Sequence, residues 1–89
     1  MDLGISGKKA IVCGSSRGLG KACASSLARA GCKVVINGMD ANRLSETAIE
    51  LRSSTNSEII EVQGDITSHD GQSALGAACP DPDILITNA

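Results

Sequence analysis

The chain alternates short apolar runs with longer segments in which apolar residues recur every three or four positions. Continuous apolar runs at residues 10–13 and 34–36 predict two buried strands, over residues 8–14 and 33–37, because a strand covered on both faces is apolar throughout. Two further strands are predicted over residues 58–63 and 84–87, which are rich in β-branched residues.

A first helix is predicted over residues 18–30, where the apolar spacing changes from continuous to periodic. Its inward face is assigned to residues at steps of four, four and three, namely Leu19, Cys23, Leu27 and Ala30. Gly31 follows as a stop signal, because glycine readily adopts the left-handed conformation that ends many helices.

Two more helices follow the second and third strands. The second is predicted over residues 41–52, with Asp40 as its N-cap. Its inward stripe is assigned to Leu44, Ala48 and Leu51, with Ile49 beside them. The third, over residues 69–79, is capped by Thr67 or Ser68 and is weakened by two internal glycines.

The resulting order, β-α-β-α-β-α-β, predicts an α/β fold with an open parallel sheet and helices on both faces. The expected architecture is the Rossmann type with strand order 3-2-1-4, which is the first four strands of a dinucleotide-binding sheet. The fourth strand would then lie beside the first at an open edge of the sheet. The length of 89 residues allows one domain at most.

The turn after the first strand has the spacing G-x-x-x-G-x-G, between a predicted strand and a predicted helix. Glycines there allow a sharp turn, close approach of a pyrophosphate to the backbone, and tight packing of the helix on the strand. The helix N-terminus offers unpaired N–H groups to phosphates, and the serine hydroxyls and Arg17 can add hydrogen bonds. We therefore predict that a dinucleotide is bound by Gly14, Ser16, Arg17, Gly18, Leu19 and Gly20, with Ser15 as a further donor.

The end of the second strand indicates which dinucleotide is bound. An acidic residue at that place normally binds the free ribose 2′-hydroxyl of NAD. Here we predict that Asn37, Gly38 and Met39 bind the cofactor, and none of them would repel a 2′-phosphate. Asp40 is acidic, but its position is explained by its role as a helix cap. With Arg17 in the neighbouring turn, these residues favour NADP, and NAD remains possible.

Composition narrows the remaining classes of function. The chain has no Phe, Tyr or Trp and a net charge of −2, which argue against nucleic-acid binding. No apolar run approaches the ~18–20 residues of a membrane span, and no signal peptide is evident, so a cytoplasmic location is expected. The four cysteines contain no C-x-x-C pair, and with one histidine they predict buried reduced thiols and no metal site.

Two further segments follow the third and fourth predicted strands, Gly64-Asp65-Ile66-Thr67 and Thr87-Asn88-Ala89. Together with the glycine-rich turn they make the whole chain resemble the short-chain dehydrogenase/reductase family, with Cys13 in place of the threonine that usually precedes that turn. Within the family the chain is most similar to 3-oxoacyl-carrier-protein-reductase-like proteins.

The resemblance implies roles for particular residues. Asp65 is expected to contact the adenine amine with the Ile66 backbone beside it, and Asn88 and Ala89 are expected to lie along the cofactor. Arg17 resembles the basic position of NADP-preferring members, whereas Met39 stands where a second basic residue often occurs.

The family transfers a hydride between a nicotinamide and a carbonyl or alcohol carbon, using a serine, a Tyr-x-x-x-Lys pair and an asparagine. This chain contains no tyrosine, so the resemblance implies that these residues lie beyond position 89. We therefore expect residues 1–89 to be the N-terminal part of a single dinucleotide-binding domain, inactive alone, and the intact protein to be a homo-oligomeric enzyme acting on a small molecule.

Two alternatives stay open at this point. Instead of such a cofactor-binding half, the chain could be a non-catalytic nucleotide-binding module. It could also be another Rossmann-type domain, such as a methyltransferase that uses S-adenosylmethionine. Asn37 fits the methyltransferase poorly, because such enzymes often place an acidic residue at the end of the second strand for the ribose hydroxyls.

Overall fold

The computed structural model describes residues 4–15 and 18–87, and these form strands and helices in the predicted alternation. The elements are β1 (Lys9–Val12), α1 (Gly18–Arg29), β2 (Lys33–Gly38), α2 (Ala41–Ser54), β3 (Ile59–Gln63), α3 (His69–Ala78) and β4 (Ile84–Ile86). Helix α2 runs two residues past its predicted end. The hydroxyls of Ser53 and Ser54 donate back to carbonyls of the preceding turn, and the Thr55 N–H donates to the Leu51 carbonyl.

The four strands form one parallel sheet in the order β3-β2-β1-β4, as predicted. The register places Ala10 of β1 opposite both Val34 of β2 and Ile84 of β4. Strand β4 lies at the open edge, beside β1, and its central residue Leu85 is 59% exposed. The predicted fold class is therefore confirmed.

The apolar run of β1 contributes to a separate core on each face of the sheet. Ala10 and Val12 pack with α1 and α2 on one face, whereas Ile11 and Cys13 pack with Leu75 of α3 on the other. Successive side chains of a strand point to opposite faces, so a run without polar positions is the pattern that a doubly covered strand requires.

The buried face of α1 differs from the predicted one. The buried residues are Gly20, Ala24 and Ala28, whereas Leu19 is 71% exposed and Cys23 is only partly buried. Small residues every four positions let the helix lie close against β1 and β2, so larger side chains fit only at the flanks of the contact. The periodic large apolar residues of α1 therefore mark one side of the contact with the sheet, and the small residues mark the line of closest approach.

The stripe of α2 is confirmed except at Ile49, which is 64% exposed. Thr47 is buried on that helix instead, and its hydroxyl donates to the Arg43 carbonyl at 3.0 Å. A buried hydroxyl that bonds within its own helix costs little, because its polar group stays satisfied. The N-cap of α2 is Asp40, as predicted, and the N-cap of α3 is Ser68.

The four cysteines are free thiols, as predicted, with Cys13, Cys32 and Cys79 buried and Cys23 partly buried. Burial raises the pKa of Cys13, and burial followed by the Asp83 carboxylate raises that of Cys32. Both thiols therefore stay protonated at neutral pH. Within residues 4–15 and 18–87, no helix has the length and apolar character needed to cross a membrane.

Candidate functional site

The carboxyl ends of the strands meet along one edge of the sheet. The Cys13 N–H donates to the Ile86 carbonyl at 2.9 Å, and the Gly64 N–H donates to the Gly38 carbonyl at 3.0 Å. These bonds join the carboxyl ends of β1 and β4 and of β2 and β3, and the Ser15 N–H, which donates to the Asn37 carbonyl at 2.7 Å, joins those of β1 and β2. In open parallel sheets, ligands bind outside this edge, at the point where the strand order reverses. Here that point lies between β1 and β4.

The glycine-rich turn stands at that point and leads directly into α1. Gly14 and Gly18 have φ values of 64° and 63°, in the left-handed region that glycine adopts without strain. Among the described residues beyond its chain neighbours, no atom lies within 4 Å of a Cβ added at Gly18, so these residues leave its backbone open to close approach. The first-turn N–H groups of α1 have no partner within the helix and can face an anion there. Ser16 and Arg17 lie outside the described residues.

Ser15 faces the protein interior, which corrects its predicted role as a phosphate donor. Its side chain is fully buried, and its hydroxyl donates to the Asn37 carbonyl at 3.2 Å. The same hydroxyl accepts from the Asn37 N–H at 2.8 Å. The hydroxyl is therefore committed to the end of β2. The position of Ser15 between two turn residues gave no sign of this orientation.

Asn37 is buried at the end of β2 and uses its side chain within the protein. Its Oδ1 accepts from the Gly14 N–H at 3.3 Å, and its Nδ2 donates to the carbonyls of Val62 and Gly64, each at 3.1 Å. The residue therefore joins the turn after β1 to the turn after β3. Its predicted role as a cofactor-binding residue stays a prediction.

The loop from β2 to α2 presents a different set of groups to the edge. Met39 is 68% exposed, and its carbonyl accepts from Gln63 Nε2 at 2.9 Å. The Asp40 carboxylate accepts hydrogen bonds from the N–H groups of Asn42 and Arg43, so it caps the N-terminus of α2. Gln63 was not identified from the sequence, since its contact follows from the register between β2 and β3.

Asp65 begins the turn after β3 and is partly exposed. Its Oδ1 accepts from the Thr67 hydroxyl at 2.7 Å and from the Thr67 N–H at 2.9 Å. These two hydrogen bonds, the hydroxyl first, hold the pKa of Asp65 below its ordinary value. Within the described residues, no donor bonds to Oδ2, so the ionised carboxylate can still accept from an amine. The Ile66 carbonyl accepts from Gln72 Nε2 at 2.9 Å.

The remaining predicted site residues are distributed as follows. Leu19 lies exposed in the first turn of α1, and Gly20 is buried beneath it. Lys21, in the same turn, forms an ion pair with Glu50 of α2 at 2.5 Å, so its charge is directed along the helices. Asn88 and Ala89 lie outside the described residues.

An open depression of about 570 Å³ lies at the opposite edge of the sheet, where the strands begin. Its lining includes Gly7, Arg29, Lys33 and Glu58, with the C-terminal ends of α1 and α2 around them. The side chains there carry both signs of charge. None of the predicted site residues lines it, so it is separate from the edge that carries the glycine-rich turn.

Comparisons with known proteins agree with this geometry. A curated relative, the uncharacterized oxidoreductase YvaG of Bacillus subtilis, is 38% identical over 89 residues, which are 99% of this chain and 34% of that protein. Gluconate 5-dehydrogenase of Gluconobacter oxydans is 38% identical over 90 residues, 96% of this chain and 34% of that protein. The crystal structure of L-sorbose reductase from Gluconobacter frateurii, complexed with NADPH and L-sorbose, matches with a TM-score of 0.92 at 35% identity and covers 100% of this chain and 35% of that one.

The chain thus spans about a third of the length of the relatives that it matches. The family model described as short chain dehydrogenase matches residues 8–89. This match covers nearly all of the chain, and it coincides with the parallel sheet and the glycine-rich turn. The chain therefore belongs to the short-chain dehydrogenase family.

Proposed function

We propose that these residues form the cofactor-binding part of an NADP(H)-dependent oxidoreductase that acts on a carbonyl or alcohol substrate. The observation that carries the proposal is the glycine-rich turn at the carboxyl edge of the sheet, where Gly14 and Gly18 have left-handed backbones and α1 begins. A dinucleotide bound there would accept or supply the hydride. The residues of this chain would hold its pyrophosphate and adenosine.

The adenosine side of the proposed site is formed by the turns after β2 and β3. The Oδ2 of Asp65, to which no donor of the described residues bonds, suits the adenine amine, which is a hydrogen-bond donor. The ionised state of this carboxylate is favoured by Thr67. The exposed loop at Met39 would lie beside the ribose. NADP is preferred over NAD in this proposal because no acidic side chain stands at the end of β2 and because the L-sorbose reductase structure contains NADPH.

The proton-transfer residues would come from outside these 89 residues. The chain contains no tyrosine, and the relatives are about three times as long. We therefore expect residues 1–89 alone to bind cofactor without turnover, and the intact protein to be a homo-oligomer. The more specific similarity to 3-oxoacyl-carrier-protein reductases stays a prediction, as does the cytoplasmic location.

Calorimetric titration of the 89-residue chain with NADPH, NADH and S-adenosylmethionine tests the cofactor assignment. Saturable binding of NADPH, weaker binding of NADH and no binding of S-adenosylmethionine would support it. Preference for S-adenosylmethionine would favour the methyltransferase alternative. If the chain is folded by circular dichroism and binds none of the three at millimolar concentration, the proposal is wrong.

Two glycine variants locate the binding site. Gly18→Ala places a Cβ at a left-handed position, and Gly76→Ala places one within α3; neither Cβ lies within 4 Å of a described residue beyond its own chain segment. The first substitution puts a methyl group where a pyrophosphate would approach, so we expect about tenfold weaker NADPH binding, equivalent to ~1.4 kcal/mol. The second lies away from the proposed site and should leave affinity unchanged. Equal affinities for the two folded variants would place binding elsewhere.

The catalytic part of the proposal needs the intact protein. Oxidation of NADPH by a panel of ketones and aldehydes would support an oxidoreductase and would narrow the class of substrate. Cofactor binding with no turnover of any carbonyl or alcohol in the panel would favour the non-catalytic module.

A further inference from the structure

We infer that Asn37 is a positioning residue, which sets the distance between the glycine-rich turn and the Asp65 turn and does not itself contact the cofactor. This inference rests on the proposed function, in which those two turns hold opposite parts of one dinucleotide. The absence of an acidic side chain at the end of β2 still favours NADP, because no carboxylate repels a 2′-phosphate there. The buried Asn37 side chain adds no preference of its own, so we expect it to support NADPH and NADH binding equally.

The hydrogen bonds of the Asn37 side chain leave it little capacity for a ligand. It is 3% exposed, and both hydrogens of Nδ2 are directed to backbone carbonyls, of Val62 and Gly64. A carboxamide nitrogen has only two hydrogens to donate. Oδ1 accepts from the Gly14 N–H and faces the interior with the rest of the side chain. A ribose or a phosphate would have to displace one of these partners.

The backbone of the same residue holds the turn a second time. The Ser15 N–H donates to the Asn37 carbonyl at 2.7 Å, and the Ser15 hydroxyl bonds to both the carbonyl and the N–H of Asn37. Gly14 and Ser15 therefore bond to Asn37 through both its side chain and its backbone. Movement of Asn37 would move the start of the glycine-rich turn with it.

The partners on the other side belong to the exit from β3. Gly64 immediately precedes Asp65, and its N–H also bonds to the Gly38 carbonyl. The carbonyl of Gly64 is thus held by Asn37 and its amide by the next residue of β2. The central strand β2 connects the two ligand-holding turns, and Asn37 is the side chain that reaches both. A dinucleotide that spans the two turns gains affinity from each only when their spacing suits it.

The chemistry of the site requires an amide at this position. An aspartate has the same shape but no hydrogen to donate, so the carbonyls of Val62 and Gly64 would face a buried negative charge. A serine avoids the charge but is too short to bond to both turns. Discrimination between the two dinucleotides would then belong to the exposed loop that follows, where Met39 is 68% exposed.

The test compares Asn37→Ser with Asn56→Ser, an identical change at an exposed position on the opposite edge of the sheet. Both variants are titrated with NADPH and NADH well below their unfolding temperatures. For Asn37→Ser we expect affinity for both dinucleotides to fall about tenfold or more, with their ratio changed less than about twofold. Asn56→Ser should match the unmodified chain.

Two results would overturn the inference. A loss of NADPH affinity with NADH affinity preserved would make Asn37 a direct ligand of the 2′-phosphate region. A lower unfolding temperature with both affinities unchanged would make it a purely structural residue.

Amide hydrogen exchange of the unsubstituted chain tests the same contacts if Asn37→Ser does not fold. We expect the Gly14 amide and the Asn37 side-chain protons to exchange slowly, with side-chain shifts that are the same in the NADPH and NADH complexes. Fast exchange at either group, or shifts that differ between the two complexes, would contradict the inference.

Failure of the proposed function is recognised separately, since the unsubstituted chain would then bind neither dinucleotide. In that case the Gly14 and Gly64 amide resonances still report on positioning, and both should move in Asn37→Ser. If neither resonance moves, the positioning role is wrong independently of the cofactor.

Discussion

The hydroxyl of Ser15 forms a reciprocal pair of hydrogen bonds with the backbone of Asn37, accepting from its N–H at 2.8 Å and donating to its carbonyl at 3.2 Å. The Ser15 hydroxyl thereby acts as one donor and one acceptor, the two groups that the backbone of a paired strand would supply, just beyond the end of β1. The pairing between β1 and β2 continues into the glycine-rich turn in this way. The start of the turn, at Gly14 and Ser15, is consequently fixed to the sheet before any ligand binds.

Removal of this hydroxyl should destabilise the fold measurably. Ser15→Ala leaves the buried Asn37 N–H without its acceptor, and an unsatisfied buried donor costs about 1–3 kcal/mol. We expect a loss of that size in the free energy of unfolding, measured by urea denaturation. Ser26→Ala, at an exposed position of α1, should change it by no more than about 0.5 kcal/mol. Equal effects of the two substitutions would contradict the assigned role of the Ser15 hydroxyl.

The pKa of Asp65 predicts a contribution to stability that depends on pH. This pKa is lowered on folding, so the contribution is fully present above the unfolded value, near 3.8, and is lost as the pH falls through the folded value. Thr67→Val removes the hydroxyl, which is the larger cause of the shift, and keeps the backbone N–H. We expect the pKa of Asp65, measured by NMR titration, to rise in this variant.

Unfolding measurements across the same pH range give an independent check. The stability difference between the unsubstituted chain and Thr67→Val should be full at neutral pH and should narrow below pH ~4. Thr55→Val serves as control, because the Thr55 hydroxyl donates to a carbonyl that does not titrate. A difference for Thr67→Val as constant with pH as that for Thr55→Val would argue against the coupling.

Two glycines of α3 should respond in opposite directions to the same substitution. A Cβ at Gly71 would overlap the Asp65 carbonyl oxygen and lie 2.7 Å from its carbon, so Gly71→Ala must push the helix from the turn. We expect a loss of about 1–3 kcal/mol. Gly76 has open space around it, and Gly76→Ala should gain roughly 0.5–1 kcal/mol from helix propensity. Thermal unfolding of both variants measures the contrast, and a destabilised Gly76→Ala would show that the surroundings of α3 are misassigned.

The exposed position of Met39 offers a direct test of cofactor selectivity. Met39→Arg adds a guanidinium to the loop beside the proposed ribose site, and this group pairs with a 2′-phosphate but has no such partner on NADH. We expect the ratio of NADPH to NADH affinity to rise about tenfold, or ~1.4 kcal/mol. Asn56→Arg adds the same charge at the opposite edge and should leave the ratio unchanged. An equal rise of this ratio in both variants would show that the added net charge, and not the position of residue 39, causes the change.

The sequence by itself determined the alternation of elements, the strand order, the double coverage of β1 and the glycine-rich turn. These features depend on periods of 2 and 3.6 residues and on hydrogen bonds between near neighbours, such as those of the Asp40 cap, which are visible in a short window of sequence. Right-handed crossovers then restrict the ways in which four parallel strands can be ordered.

The tertiary structure alone decided which polar groups are used inside the protein. Ser15 and Asn37 are 22 residues apart, and Asn37 and Gly64 are 27 apart. Their contacts depend on the register of the parallel strands, which the local pattern of apolar and polar residues does not determine. The same holds for α1, where the closest line of contact follows Gly20, Ala24 and Ala28. Glycine and alanine add little to a hydrophobic pattern in the sequence. Their contribution, which is to allow close approach of the helix, can be seen only when the helix is packed against the sheet.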